Sequence, residues 1–455
     1  MQFMKILHII ILNIFFITLN AQVIPYEEPK SLNIHANINF IPIDNILNKK
    51  ITLSNSTISG DFYIFQLGIN AESKNLRQVD LSIDGINSTD KIYIVDGSDY
   101  NTFIGPYYGK NKNILTNPIY TDKIIIEINS KSSDAFDIII NDFIEPDYKS
   151  LLDTDKIYYK KTNTRDEPII LLTGYWPPTN EMIRHFSQNE NLNPQGWQGS
   201  NWENRGYDII SYFPEFSPPD CSSCGQGSGD IEVDYQDTSE DFWPIANNHS
   251  PLGIITFSRG YIDLSWEMEF NAYNRTNWYN DFTPPFLPTP NPPDTNEESF
   301  FLRNSNLPMD EIVEAINNLN LGLTPYIDFN GDPGHYVSEF MAYHGTWYRD
   351  LNQFEDEGCI AAGHIHVGGN IEWDTAKLAT EESIRVLINY LDSFSYTPGD
   401  LNQDDITDIL DLVIVINAIL GQTELSNLQN YAADINEDSI INIQDIILMI
   451  NIILN

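Results

Sequence analysis

The sequence Asp-Pro-Gly-His-Tyr-Val-Ser-Glu-Phe-Met-Ala-Tyr occupies residues 332–343, and Gly-His-Ile-His-Val follows at residues 363–367. The second segment belongs to an apolar strand pattern with a histidine, His366, near its end. Ser338 therefore offers a hydroxyl on one element, and His366 offers an imidazole at the tip of another. A Ser–His nucleophile pair needs these two parts, so we take this region as a candidate catalytic site.

The segments around this pair alternate between apolar strands and helices. Strand patterns lie at residues 168–173, 207–212, 252–257 and 323–327, and helical spacing of apolar residues lies at 309–319 and 381–391. Strands that alternate with helices indicate a mostly parallel sheet with helices on both faces. We therefore predict a central α/β domain at residues 165–392, with irregular insertions at 216–229 and 283–294 and a linker at 393–398.

The same residues resemble pyroglutamyl peptidase I, a family of α/β peptidases whose Cys–His–Glu triad removes N-terminal pyroglutamate. The family's Asp-x-Gly-x-Tyr segment and the aliphatic residue after it place Ser338 at the family's Cys and His366 at its strand histidine. The resemblance leaves two candidates for the acid, Glu267 and Glu269, the second because it stands five residues before Asn274. It also implies a substrate-binding turn, formed by Thr173, Gly174 and Tyr175.

Two departures from the family pattern bear on function. A serine hydroxyl has a far higher pKa than a thiol, so Ser338 requires a working general base, but oxidants in an exported setting do not inactivate it as they would a thiol. The family's Phe-x-Pro-Phe-Gly-Gly stretch is replaced by Tyr-Trp-Pro-Pro-Thr-Asn at residues 175–180. The resemblance therefore implies a hydrolase of peptide N-termini or related small amides or esters, with a catalytically silent binding domain as the alternative.

The C-terminal segment, residues 399–455, contains a repeat with an offset of 34 residues, from 400 to 434. Each copy places side-chain oxygens at positions 1, 3, 5, 9 and 12 of a loop and a backbone carbonyl at position 7, followed by an apolar helix. Hard cations such as Ca²⁺ take six to eight oxygen ligands from such loops. The predicted ligands of two Ca²⁺ ions are Asp400, Asn402, Asp404, Ile406, Asp408 and Asp411, and Asp434, Asn436, Asp438, Ile440, Asn442 and Asp445.

This repeat resembles a type I dockerin, a small all-α module with duplicated calcium loops that docks onto a cohesin partner. Position 6 departs from the glycine of an EF-hand loop, since Asp405 and Ser439 stand there. The family's partner-reading positions hold Ile409-Leu410 and Ile443-Gln444 instead of small hydroxylated pairs. A cohesin-like protein is the partner that the resemblance implies.

The N-terminal segment has two predicted parts. Residues 1–21 carry a lysine followed by an apolar run and a small residue at the end, which is typical of a secretory signal peptide. Residues 22–150 alternate short apolar and polar runs with turn residues between them, which favours an all-β sandwich. The stretch resembles the sandwich modules that precede catalytic domains in exported bacterial peptidases, so we expect an accessory domain in a secreted protein.

Composition excludes some functions. The chain of 455 residues has 24 Lys and Arg against 65 Asp and Glu, a formal charge of −41, which opposes binding to nucleic acid and to anionic membranes. Its three cysteines favour a fold held by apolar cores, with Cys221 and Cys224 as a local disulfide or two loop thiols and Cys359 as a buried apolar side chain. Weaker alternatives are a nucleophile elbow at Ser258 and a metal site at His364 and His366.

Overall fold

The computed structural model describes residues 29–32, 38–98, 100, 102–152, 158–160, 167–219, 221, 225–330, 334–353, 358–404 and 406–454. The predicted signal peptide lies outside these ranges, as do Asp332, Pro333, Cys224 and Asp405. Among the described residues, no helix combines the length and apolar character that crossing a membrane requires.

The N-terminal region is rich in β-strands, as predicted. Its strands are β1 (Phe40–Pro42), β2 (Lys50–Leu53), β3 (Thr57–Ser59), β4 (Phe62–Asp84), β5 (Lys91–Asp96), β6 (Phe103–Tyr108), β7 (Asn113–Leu115), β8 (Ile119–Ser130) and β9 (Phe136–Ile144). Hydrogen bonds join them in the order β2-β9-β4-β8-β5-β6, while β1, β3 and β7 pair with the long strand β4. The finer expectation of a two-sheet sandwich stays a prediction.

The central region contains a six-stranded sheet, formed by β11 (Ile169–Gly174), β12 (Asp208–Tyr212), β13 (Gly253–Arg259), β14 (Ser265–Glu269), β17 (Thr324–Asp328) and β18 (Ala361–Val367). The order of the strands in the sheet is β12-β11-β13-β18-β14-β17. Pairing is parallel except between β14 and β18, which are antiparallel. The smaller paired strands are β10 (Tyr159–Lys160) with β19 (Ser395–Tyr396), and β15 (Asn271–Tyr273) with β16 (Leu302–Asn304).

Helices cover both faces of this sheet. They are α1 (Thr179–Ile183), α2 (Tyr235–His249), α3 (Met309–Asn318), α4 (Val337–Asn352) and α5 (Trp373–Asp392). Short 3-10 helices lie between strands of this sheet at Arg184–Phe186 and Trp202–Asn204, and earlier in the chain at Lys30–Leu32, Ile43–Asn45 and Tyr148–Leu151. Successive strand side chains point to opposite faces. Ile365 accordingly joins the core with α1, α3 and α5, whereas Ala362 joins the core with α2 and α4.

The N-terminal sheet packs directly on the α/β domain. Tyr273 of β15 belongs to the core of the N-terminal sheet, and the rings of Phe103 and Phe300 lie 6.5 Å apart. A second ring contact joins Tyr120 to Phe329 at 5.7 Å. The N-terminal region therefore adjoins the segment that follows Glu269.

The C-terminal region contains helices α6 (Ile409–Ile419), α7 (Asn427–Ala433) and α8 (Ile443–Leu454), of which α6 packs against α8. Residues 393–398, predicted to be a linker, include the short strand β19, which pairs with β10. The ring of Tyr431 also lies 5.1 Å from Tyr158 and 5.8 Å from Tyr396. These contacts hold the C-terminal region against the α/β domain.

Candidate functional site

The strand alternation of β14 and β18 gathers the candidate site on one face of the sheet. His364 and His366 share a face of β18, and Glu267 and Glu269 share a face of β14. In the antiparallel register Glu267 lies opposite His366, and Glu269 lies opposite His364. Helix α4, which carries Ser338 in its first turn, packs against β13 and β18 on this side of the sheet.

His366 is held by Glu269. Its Nδ1 atom lies 2.5 Å from Oε1 of Glu269, and both side chains are buried, with 7% and 3% of their surface exposed. A carboxylate accepts hydrogen bonds, so the proton of a neutral imidazole resides on Nδ1 and the Nε2 lone pair is available as an acceptor. This is the tautomer that a general base for a hydroxyl requires.

Glu267 has different surroundings. Its Oε1 atom accepts a hydrogen bond from the Tyr326 hydroxyl at 2.7 Å. Burial raises the pKa of Glu267 to about 7, and the nearby carboxylates of Asp328 and Asp263 add to the rise. Of the two acids that the sequence left open, Glu269 is therefore the one in contact with His366 Nδ1.

Ser338 is the second residue of α4, after the extended N-cap residue Tyr336. The first N–H groups of a helix have no partner within the helix and carry partial positive charge. Such groups can stabilise an oxyanion that forms near the helix start. The position therefore combines a half-buried hydroxyl with potential oxyanion donors.

A buried ion pair fixes the start of α4. Glu339, which is fully buried, accepts a hydrogen bond from Arg275 Nε at 2.5 Å. It also accepts the backbone N–H groups of Tyr273 and His335, each at 3.3 Å. Glu339 thus ties the segment after Glu269 to the turn of helix next to Ser338, a contact that the sequence pattern does not reveal.

His364 is bound by hydroxyl groups. Its Nε2 atom lies 2.6 Å from Ser258 Oγ, and its Nδ1 atom lies 2.8 Å from Thr256 Oγ1. Burial lowers the pKa of His364 well below its usual value, and His366 lowers it further. Ser258 lies inside β13, so it does not occupy the sharp strand-to-helix turn of a nucleophile elbow.

The predicted substrate-binding residues lie at the end of β11, but two of them serve packing. Tyr175 is buried, and its hydroxyl lies 2.6 Å from Thr238 Oγ1. A Cβ atom on Gly174 would lie 2.9 Å from the carbonyl oxygen of Thr179, so this glycine permits α1 to pack closely. Thr173 is also buried.

An aromatic pair that the sequence pattern did not predict lies beside the start of α4. Trp176 stacks on Tyr336 with 6.2 Å between ring centroids and an angle of 12°. Tyr336 directly precedes α4, and Trp176 follows the end of β11. The sequence signal that could have located this aromatic pair is the Tyr-Trp-Pro-Pro segment at residues 175–178, which replaces the family's Phe-x-Pro-Phe-Gly-Gly stretch.

The two cysteines among the described residues, Cys221 and Cys359, are not available as nucleophiles. Cys221 is disulfide-bonded, which favours the local disulfide over the alternative of two loop thiols. Cys359 carries a free thiol that is buried, and burial raises its pKa to about 12. A thiol with such a pKa is protonated at neutral pH and is a poor nucleophile.

The two predicted calcium loops have matching hydrogen bonds. One oxygen of Asp411 accepts the N–H groups of Leu401 and Asn402 at 2.8 and 2.9 Å, and the other accepts that of Asp408 at 2.9 Å. In the second loop Asp445 accepts those of Ile435, Asn436 and Asn442 at 3.0, 3.4 and 2.9 Å. The last carboxylate of each predicted ligand set thus closes its loop in the same way.

Residues 398–454 match the dockerin type I domain family. This match confirms the predicted resemblance of the C-terminal segment to a type I dockerin. Dockerin domains in general bind calcium and cohesins. No curated protein matches the chain significantly by sequence.

The solved structures that are similar to the chain include pyroglutamyl peptidases. Pyrrolidone carboxyl peptidase from Thermococcus litoralis is 14% identical, with 52% of this chain and 98% of that chain covered and a TM-score of 0.37. A mutant pyrrolidone carboxyl peptidase from Pyrococcus furiosus is 14% identical, with 49% of this chain and 99% of that chain covered and a TM-score of 0.36. Pyroglutamyl peptidase I from Bacillus amyloliquefaciens is 15% identical, with 50% of this chain and 98% of that chain covered and a TM-score of 0.35.

Proposed function

We propose that the α/β domain is a secreted serine hydrolase that cleaves a peptide N-terminal bond or a related small amide or ester. The observation that carries this proposal is the 2.5 Å contact between His366 Nδ1 and Glu269 Oε1 on the face covered by α4. It orients the imidazole so that Nε2 can act as a base. Ser338 in the first turn of α4 supplies the hydroxyl.

In the proposed mechanism, the Ser338 Oγ proton passes to His366 Nε2 while Oγ bonds to the substrate carbonyl carbon. Glu269 stabilises the imidazolium that forms, and N–H groups at the start of α4 stabilise the oxyanion. His366 then gives its proton to the leaving amine or alcohol as the carbon–leaving-group bond breaks. Water releases the acyl group from Ser338 by the same steps, and the serine regains its proton.

The experiment is labelling with a serine-directed aryl phosphonate, together with a screen of blocked N-terminal peptides and simple esters. We expect wild type and the control variant Cys359→Ala to be labelled and Ser338→Ala to be unlabelled, because Cys359 is a buried, protonated thiol. Labelling that survives Ser338→Ala would contradict the assignment. Absence of labelling in folded wild type would favour a catalytically silent binding domain.

We also propose that the C-terminal module binds two Ca²⁺ ions, one in each loop, and tethers the enzyme to a cohesin-like partner. The matching closure of the loops by Asp411 and Asp445 supports two equivalent sites. Chelation is expected to unfold residues 399–455 while the α/β domain keeps its structure, because ligand binding stabilises the folded loops. Hydrogen exchange followed by mass spectrometry measures this region by region. Unchanged protection of residues 399–455 after chelation would contradict the proposal.

A further inference from the structure

The neighbouring strands β18 and β14 bring a nitrogen ligand and two carboxylates together. Glu267, Glu269 and His366 each offer one ligand atom, and these atoms all lie within 4.8 Å of one another. The strand register produces this cluster. Glu267 lies directly opposite His366, and Glu269 lies two residues further along β14 on the same face of the sheet. Glu267 has no role in the proposed mechanism, which uses Ser338, His366 and Glu269. The function of its carboxylate in this cluster is therefore open to another explanation.

We propose that Glu267, Glu269 and His366 form a binding site for Zn²⁺, and that zinc bound there inhibits the hydrolase. The binding claim rests on the geometry, ligand types and charge of the cluster, whereas the inhibition claim rests on the proposed function. The site is distinct from the all-oxygen calcium loops of the C-terminal module.

The ligand set suits zinc. Zn²⁺ is held by imidazole nitrogen and carboxylate oxygen at about 2.0–2.2 Å, often by three protein ligands with a fourth position open. Ligand atoms around a tetrahedral ion of that size lie about 3.5 Å apart. Small side-chain adjustments therefore bring the three atoms to bonding distance. Ca²⁺ and Mg²⁺ prefer oxygen ligands, so the imidazole favours a transition metal over either.

The surrounding charge also favours a cation. Strand β17 places Asp328 opposite Glu269 and Tyr326 opposite Glu267. The carboxylates of Asp328 and Asp263 lie close enough to raise the pKa of Glu267, an effect that adds to burial. A divalent cation among these groups would offset their mutual repulsion. Tyr326, which is 40% exposed, marks the solvent side from which an ion would enter.

Zinc and the proposed chemistry compete for the same imidazole. An ion at Nδ1 would displace the proton that Glu269 holds there. An ion at Nε2 would take the lone pair that accepts the Ser338 proton in the proposed mechanism. Either mode removes the general base, so bound zinc is inhibitory and not catalytic in this site.

The test is calorimetric titration of Zn²⁺ into the full chain saturated with Ca²⁺, which occupies the C-terminal loops. We expect one saturable zinc site that Glu267→Gln weakens at least about tenfold, since one of three ligands is lost. Glu314→Gln makes the same chemical change at an exposed position on α3 and serves as the matched control. Saturable binding that is equal in both variants, or the absence of saturable binding to wild type, would overturn the proposal.

X-ray absorption at the zinc edge provides a readout that needs no variant. We expect a nitrogen and oxygen shell near 2.0–2.2 Å with the signature of one imidazole. A sulfur ligand or several imidazoles would overturn the assignment. Ser338→Ala separates this proposal from the proposed function, because it removes the nucleophile and leaves all three ligands. We expect it to bind zinc as wild type does, and inhibition is scored as the ratio of wild-type activity with and without zinc.

Discussion

His364 and His366 stand two residues apart on the same face of β18, and their rings lie 4.8 Å apart, yet their surroundings differ in kind. Both nitrogens of His364 contact hydroxyl groups, those of Ser258 and Thr256. His366 instead contacts a carboxylate through Nδ1. A histidine between two hydroxyls is a neutral structural group, whereas a histidine on a carboxylate is oriented and able to hold a proton.

The difference arises from the strands on either side. The parallel neighbour β13 presents Thr256 opposite His364 and Ser258 opposite His366, while the antiparallel neighbour β14 presents the two glutamates. Both histidines share the strand, the face and the burial, so the partners alone distinguish a structural residue from a candidate base. The predictions below test that distinction.

The largest expected effect is on catalysis by His366. We expect His366→Gln to lower the rate of hydrolysis or of phosphonate labelling by at least about 1,000-fold, since the base that activates the serine is lost. Initial rates measured on folded protein, checked by circular dichroism, give this number. A variant with near wild-type rates would show that His366 is not the base.

The two glutamates should differ next. We expect Glu269→Gln to lower the rate by about 100-fold or more, because the amide no longer stabilises the imidazolium as a carboxylate does. The loss is expected to exceed that of Glu267→Gln by at least tenfold, since Glu267 pairs with Tyr326 and not with Nδ1. The rates of the two variants are compared at one pH. The reverse order would return the assignment to Glu267.

A third histidine, His344 on α4, extends the comparison to stability. Burial lowers its pKa to about 4 from an ordinary value of 6.5. Below pH 6.5 the unfolded chain therefore binds a proton that the folded chain refuses, so stability falls with pH until about pH 4. Between pH 7 and pH 5 the burial of His344 should lower the free energy of unfolding by about 2 kcal/mol.

Urea denaturation of wild type and His344→Leu at both pH values measures this loss. We expect the variant to lose less stability on acidification than wild type. An equal loss in the two proteins would show that His344 does not contribute.

The smallest expected effect belongs to His364. We expect His364→Gln to lower the free energy of unfolding by about 1–2 kcal/mol, because a buried hydroxyl of Ser258 or Thr256 loses its partner. Its rate of hydrolysis, measured on the folded fraction, is expected to fall far less than that of His366→Gln. A rate as low as that of His366→Gln would erase the distinction between the two histidines.

Local patterns predicted much of the fold. The strand predicted at 207–212 corresponds to β12, that at 252–257 overlaps β13, and the helix predicted at 309–319 corresponds to α3. Apolar periodicity identifies such elements because each one buries a face of its own. The dockerin resemblance could also be found from sequence, since the predicted calcium ligands of each copy lie within one short segment.

The arrangement of the site was less predictable. The sequence motifs offered Ser338 and His366 as candidates but left the choice between Glu267 and Glu269 open, because which glutamate contacts His366 depends on the antiparallel register of β14 against β18. The ion pair of Glu339 with Arg275 joins residues that are distant in sequence. Register and long-range pairing follow from tertiary packing, which a single sequence does not display.

The most direct measurement maps the phosphonate adduct by peptide mass spectrometry in wild type, His366→Gln and His364→Gln. The account predicts an adduct on Ser338 in wild type and in the folded fraction of His364→Gln, and its loss in His366→Gln. An adduct on Ser258, or one on Ser338 that depends on His364 and not on His366, would contradict the account.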